Sequence, residues 1–176
     1  GTWAQTGGAA APGFVAATAT LDPDGLAAGS YAFTYTHPAT GGCALDEATV
    51  TVDITEQLEA GADSTLAVCN TPDSFDLFAA LGATADAGGT WTDNDGVGAG
   101  FDAASATLDP DGLAAGSYTF TYRHAAAGGC EADSALITVD VTEQLEAGAD
   151  STLEVCNTPA SFDLFAALGT TADAGG

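Results

Sequence analysis

The 176-residue chain has no lysine and one arginine, Arg123, against 25 aspartates and glutamates. A formal net charge of −24 repels a phosphate backbone instead of displacing its counterions, which excludes nucleic-acid binding and basic adhesion to anionic lipid. Without a lysine amine, no isopeptide crosslink forms. No run approaches the 18 consecutive apolar residues of a membrane-spanning helix, and the opening Gly1-Thr2-Trp3 is not a charged-then-apolar leader, so no membrane insertion is expected. Large core formers are few as well. The apolar fraction of 46% is swollen by alanine and sits beside 23 glycines, so each core must be small and in need of staples.

What the chain does have is repetition. Leu21-Asp22-Pro23-Asp24-Gly25-Leu26-Ala27-Ala28-Gly29-Ser30-Tyr31 recurs as Leu108 to Tyr118, and Cys43 and Cys69 recur as Cys130 and Cys156. Aligning 14–89 with 101–176 gives 61 identities in 76 positions, the mark of a recently amplified array. The alternating strand pattern of Thr49-Val50-Thr51-Val52-Asp53-Ile54-Thr55 breaks at Glu56-Gln57-Leu58-Glu59-Ala60-Gly61-Ala62-Asp63 and resumes at Leu66, which places a linker there. Residues 58–144 then form one complete domain, 1–57 the back of one copy and 145–176 the front of the next. The other phase, with domains starting at Gly1 and Gly89, sets a buried-type tryptophan at a boundary.

Strands are expected near 65–69, 74–78, 89–92, 105–108, 116–124 and 134–142, separated by Gly, Pro, Asp and Asn. The clearest is Ser117-Tyr118-Thr119-Phe120-Thr121-Tyr122, with aromatics on one face and threonines on the other. Phe75 to Leu81 fits a strand or one helical turn. The expected fold class is all-β: tandem antiparallel β-sandwich repeats with a period of about 87 residues.

Leu113-Ala114-Ala115-Gly116-Ser117-Tyr118 resembles the tyrosine corner of fibronectin-like and immunoglobulin-like sandwiches, and Cys69, Trp91 and Cys130 follow the immunoglobulin order of Cys, Trp, Cys, so the resemblance implies repeats of that kind. Cys130 departs from that pattern, lying eight residues beyond Tyr122. Over the whole chain, Ala-Gly-Ala-Asp, Val-Cys-Asn, Gly-Gly-Thr-Trp, the Leu-Asp-Pro-Asp-Gly run and Gly-Gly-Cys are similar, in that cyclic order, to repeats of giant Bacteroidetes surface proteins. These include gliding-motility adhesins of the SprB type exported by the type IX secretion system. The resemblance implies an extracellular, cell-surface filament or stalk.

In an exported chain, two cysteines per period suggest one disulfide per domain, Cys69 with Cys130, leaving Cys43 and Cys156 to partners in adjacent copies. Cys43 with Cys69, across the linker, is the rival pairing. Two isolated cysteines without nearby histidines do not make a zinc site. Asp93-Asn94-Asp95-Gly96 has the oxygen-rich spacing of a calcium loop, although the first copy has Gln5-Thr6-Gly7-Gly8 there. Glu56, Glu59 and Asp63, with Glu143, Glu146 and Asp150, crowd the linkers, where calcium or a solvated acidic hinge are both readings. Asp22-Pro23-Asp24-Gly25 is what a tight turn demands. Ser64, Ser134 and Ser151 match the short Asp-Ser/Thr-apolar acceptor of Bacteroidetes O-glycosylation. His37 and His124 lack a nucleophile and an orienting acid and are read as structural, while Trp3, Trp91, Tyr31 and Tyr118 are read as core.

The function expected is a structural, non-enzymatic spacer of a surface adhesin. It needs no cofactor, with calcium as the one metal its acidic clusters suit. Its partners are neighbouring repeats and lateral copies of the filament. A carbohydrate-binding adhesive repeat and an accessory module of a secreted enzyme are the alternatives.

Overall fold

The computed structural model describes residues 1–71, 73–157 and 161–173. Its strands are β1 (Thr2–Gly7), β2 (Phe14–Val15), β3 (Thr20–Leu21), β4 (Gly29–His37), β5 (Asp46–Ile54), β6 (Ser64–Cys69), β7 (Phe75–Asp76), β8 (Thr90–Asp93), β9 (Phe101–Asp102), β10 (Thr107–Leu108), β11 (Gly116–His124) and β12 (Asp133–Thr142). Among the described residues, helix is confined to single turns at Phe78–Leu81, Gly98–Gly100 and Leu164–Ala167. The fold class is all-β, with several antiparallel sheets.

Two compact units are interleaved along the chain. Gly1–Ala62, Leu81–Thr90 and Tyr122–Ala135 make one; Asp63–Ala80, Trp91–Thr121 and the chain from Leu136 onward make the other. In the first, β1, β4 and β5 form an antiparallel sheet in that order, and Tyr31 and Phe33 are buried with Ala11 against the half-buried Trp3, Phe14 and Leu21. In the second, Leu77, Leu108, Phe120, Ile137 and Val139 are fully buried.

The repeated turns are built alike in both copies. The Asp24 N–H donates to Asp22 Oδ1 (3.1 Å) and the Asp111 N–H to Asp109 Oδ1 (3.0 Å), while Gly25 and Gly112 both sit at φ +72°, where a Cβ is strained. The following tyrosines close the corner: Tyr31 donates to the Ala27 carbonyl (2.9 Å) and Tyr118 to the Ala114 carbonyl (3.0 Å). Tyr31 is buried, whereas Tyr118, Trp3 and Trp91 are half-buried, so three of the four expected core residues lie at its margin.

The β6-β12-β11-β8 sheet departs from the antiparallel expectation at one edge. β6 runs parallel to β12, from Ser64 opposite Ile137 to Cys69 opposite Thr142. Alternation of side chains has a period of two in either direction, so the sequence pattern does not distinguish the two. Asn70 fastens the end of this pair: its N–H donates to the Thr142 carbonyl (3.0 Å) and its Oδ1 accepts from the Gln144 N–H (2.7 Å). The expected strand at 74–78 shrinks to β7, because Asp76 Oδ1 accepts the Phe78 N–H (2.8 Å) and starts a helical turn. The two-residue strands β2, β3 and β9 are too short to leave an alternating pattern.

Candidate functional site

The acidic stretch 56–63 is tied to the surrounding chain by several hydrogen bonds. The Gln57 side chain donates to the Glu131 carbonyl (3.2 Å), and the Ala60 N–H donates to Asp133 Oδ2 (2.7 Å). Glu59 and Asp86 hold each other twice, Glu59 N–H to Asp86 Oδ2 at 2.9 Å and Asp86 N–H to the Glu59 carbonyl at 2.8 Å. The Ala62 N–H reaches the Leu81 carbonyl at 2.9 Å. Ala60 is wholly buried, and Gly61 sits at φ +92° so close to Leu81 that an added Cβ would lie 2.5 Å from its carbonyl oxygen.

Asp86 is the hub of this site. Besides its contacts to Glu59, its carbonyl accepts from the Tyr122 hydroxyl (2.7 Å) and from His124 Nε2 (2.9 Å), so that nitrogen carries the proton. Tyr122 in turn accepts the Gly89 N–H (2.8 Å), and its ring meets His124 edge-on at 5.3 Å. His124 is buried by this arrangement, whereas its counterpart His37 is exposed. Beyond it, the Gly128-Gly129 turn presses on the linker: a Cβ on Gly128 would stand 1.9 Å from Thr55 Oγ1, and Cys130 Sγ donates to the Thr55 carbonyl (3.3 Å). Asp86 and Asp133 escaped the sequence reading because they recur as Asp173 and Asp46 in an alignment that is nearly identical everywhere, so repetition did not single them out.

The same linker hairpin recurs locally at the next copy. Glu146 N–H donates to Asp173 Oδ2 (2.8 Å), the Asp173 N–H to the Glu146 carbonyl (2.8 Å), and the Ala149 N–H to the Leu168 carbonyl (2.9 Å).

The expected disulfide is a correction. Cys43, Cys69, Cys130 and Cys156 are all free thiols, in neither the Cys69 with Cys130 nor the Cys43 with Cys69 pairing. Cys69 stands opposite Thr142 at the end of β12, while Cys130 precedes that strand's start at Asp133. An extended strand rises about 3.3 Å per residue, which carries the two far beyond the roughly 7 Å that a disulfide spans.

Many of the aspartates are spent on backbone donors. Asp93 Oδ1 accepts the Asp95 and Gly96 N–H groups (3.2 and 2.8 Å), and Asp93 Oδ2 accepts the Gly98 N–H (3.1 Å). Asn94 Nδ2 donates to Thr121 Oγ1 (3.0 Å). Asp95 Oδ2 accepts both the hydroxyl and the N–H of Thr119, which holds its carboxyl below the ordinary aspartate pKa. Asp102 is lowered in the same way, by the Ala104 N–H and the Ser105 hydroxyl. In the linker, Asp63 Oδ1 accepts the Leu136 N–H (2.7 Å). Among the described residues no three His, Cys, Asp or Glu side chains gather into a group able to hold a metal ion, so Glu56, Glu59, Glu143, Glu146 and Asp150 are not brought together as ligands.

Of the three glycan candidates, Ser134 and Ser151 are exposed, but the Ser64 hydroxyl points inward from β6 and is buried without a hydrogen-bond partner. A sugar on Ser64 therefore requires β6 to leave the sheet.

No protein-family model matches the chain, and no curated protein matches it.

Proposed function

We propose that residues 58–144 are one complete immunoglobulin-like sandwich repeat, and that the chain is a structural segment of an extracellular filament or stalk of a bacterial surface adhesin serving adhesion or gliding. Its role is mechanical. Each repeat adds length, and the strapped linker restricts bending between one repeat and the next. Neighbouring repeats and lateral copies are its partners, no catalysis is involved, and no cofactor is required.

The observation that carries this reading is the parallel pairing of β6 with β12. It joins the stretch just after one linker to the strand just before the next, so an element closes on itself within a single period. The hydrogen bonds from Gln57 to Glu131 and from Cys130 to Thr55, which join 1–57 to 58–144, support a junction that resists flexing. The surplus negative charge favours an extended rod through mutual repulsion.

Single-molecule stretching of a concatenated form of the chain tests it. Unfolding steps of equal size are expected, with contour increments near about 300 Å, as 87 residues extend at about 3.4 Å each. Irregular extension without discrete steps, or turnover of a polysaccharide by the intact chain, would refute the spacer reading.

A further inference from the structure

We propose that residues 145–157 and 161–173 of one copy of this chain dock on the open β1-β4-β5 sheet of a second copy, joining chains head to tail. The inference rests on the repeat phase proposed above and names the partner that phase implies.

The acceptor is an unfinished version of a sheet that is finished elsewhere in the same chain. β5 matches β12 in sequence position, but among the described residues no strand lies along its outer edge, where β12 has β6. Val50 is 49% exposed, although Ile137, its counterpart, is fully buried. A hollow of about 190 Å³ opens between Trp3, Phe14, Leu21, Phe33, Val50 and Val52.

The donor is an unused version of the piece that finishes it. Residues 145–176 differ from 58–89 only at Glu154, Ala160 and Thr170. Leu153, Val155, Phe162 and Leu164 are 48%, 59%, 53% and 69% exposed, and 151–156 forms no strand, whereas the matching β6 is paired and Leu77, the match of Leu164, is fully buried.

The register follows from β6 on β12. Ser151 comes opposite Val50, Leu153 opposite Val52 and Val155 opposite Ile54. Phe162 meets Leu21 as Phe75 meets Leu108 in the β7–β10 pair. The Leu164 N–H reaches the Ala19 carbonyl as Leu77 reaches that of Ala106 (2.8 Å). Ala19 is already set for this, at φ +54° against +55° for Ala106. Donor and acceptor surfaces differ, so the contact is heterologous and propagates rather than closing at a dimer. Within a continuous array the preceding linker stretch takes the same seat.

Light scattering on the full chain over a range of concentrations tests this. The wild type should rise from 17.2 kDa to about two or more chain masses, and more so from roughly 0.05 to 0.5 M salt as the like charges are screened. Leu153→Asp with Phe162→Asp disables the donor at exposed positions, and Val50→Glu disables the acceptor. Each variant alone should stay at 17.2 kDa, and a mixture of the two should give a one-to-one dimer and nothing larger. A wild type that stays at one chain mass, or assemblies untouched by both variants, would overturn the proposal. Hydrogen exchange on the monomeric donor variant separates this from the repeat phase. Shared protection of 64–69 and 133–142 keeps that phase whatever the assembly result, and free exchange of 64–69 ends it.

Discussion

β5 and β12 occupy the same place in the period and share Thr-Val-Asp at their centres, yet one is mostly exposed along its length and the other buries every second residue. The difference lies in what covers them. β12 has β6 along one edge, and β5 has no such neighbour among the described residues. Burial is thus a property of the completed unit and not of the strand, and a repeat protein can hold two copies of one segment in two energetic states.

The sharpest way to break that comparison is a matched truncation. Ile137→Ala should destabilise the chain by about 2–5 kcal/mol, the cost of emptying a packed site, whereas Val50→Ala should change it by less than about 0.5 kcal/mol. Urea titration followed by tryptophan fluorescence, at a concentration low enough to keep the chain monomeric, measures both, and equal effects would mean that β5 is buried within a single chain.

A smaller contrast is expected at the Gly-Gly turns. Gly128→Ala combines a left-handed φ of +55° with a Cβ driven into Thr55, while Gly41→Ala, at φ +57°, meets open space. The first should cost about 1–3 kcal/mol and the second about 1 kcal/mol. Faster hydrogen exchange around Gln57 and Cys130 in the Gly128 variant alone would show that the turn holds the linker.

The smallest effect concerns pH. The Asp95 carboxylate accepts two Thr119 donors and has a lowered pKa, so its contribution is present above the unfolded aspartate pKa of about 3.9 and is lost as pH falls through the lower folded value. The matching turn in the first copy is held instead by uncharged Gln5, whose Oε1 accepts the Ala11 N–H (3.0 Å). Acid titration by NMR should move the Thr119 amide at a midpoint below the ordinary aspartate value and leave Ala11 in place; an Asp95→Asn variant should abolish the Thr119 transition.

Much of the fold was legible because its signals are local. The 116–124 strand matches β11 end for end, since Tyr, Phe and Tyr alternate with threonines, and the Asp-Pro-Asp-Gly turns and tyrosine corners depend only on residues within a few positions. The site was less legible. Asp86 and Asp133 act on linker residues 27 and 73 positions away, a distance at which sequence spacing carries no geometry. The cysteines misled for the same reason, because two thiols per period fix a count but not which ends of a strand they occupy.

By itself, then, the amino-acid sequence determined the period, the turns, the alternation of the long strands and the sign of the surface charge, all consequences of backbone and side-chain chemistry acting over short range. Only the tertiary structure decided that β6 runs parallel to β12, that the linker is strapped, that the thiols stay apart and that identical segments differ in burial. Those outcomes depend on which distant stretch of chain arrives to exclude water, and near-identical copies hold no information about that until one is covered and the other is not.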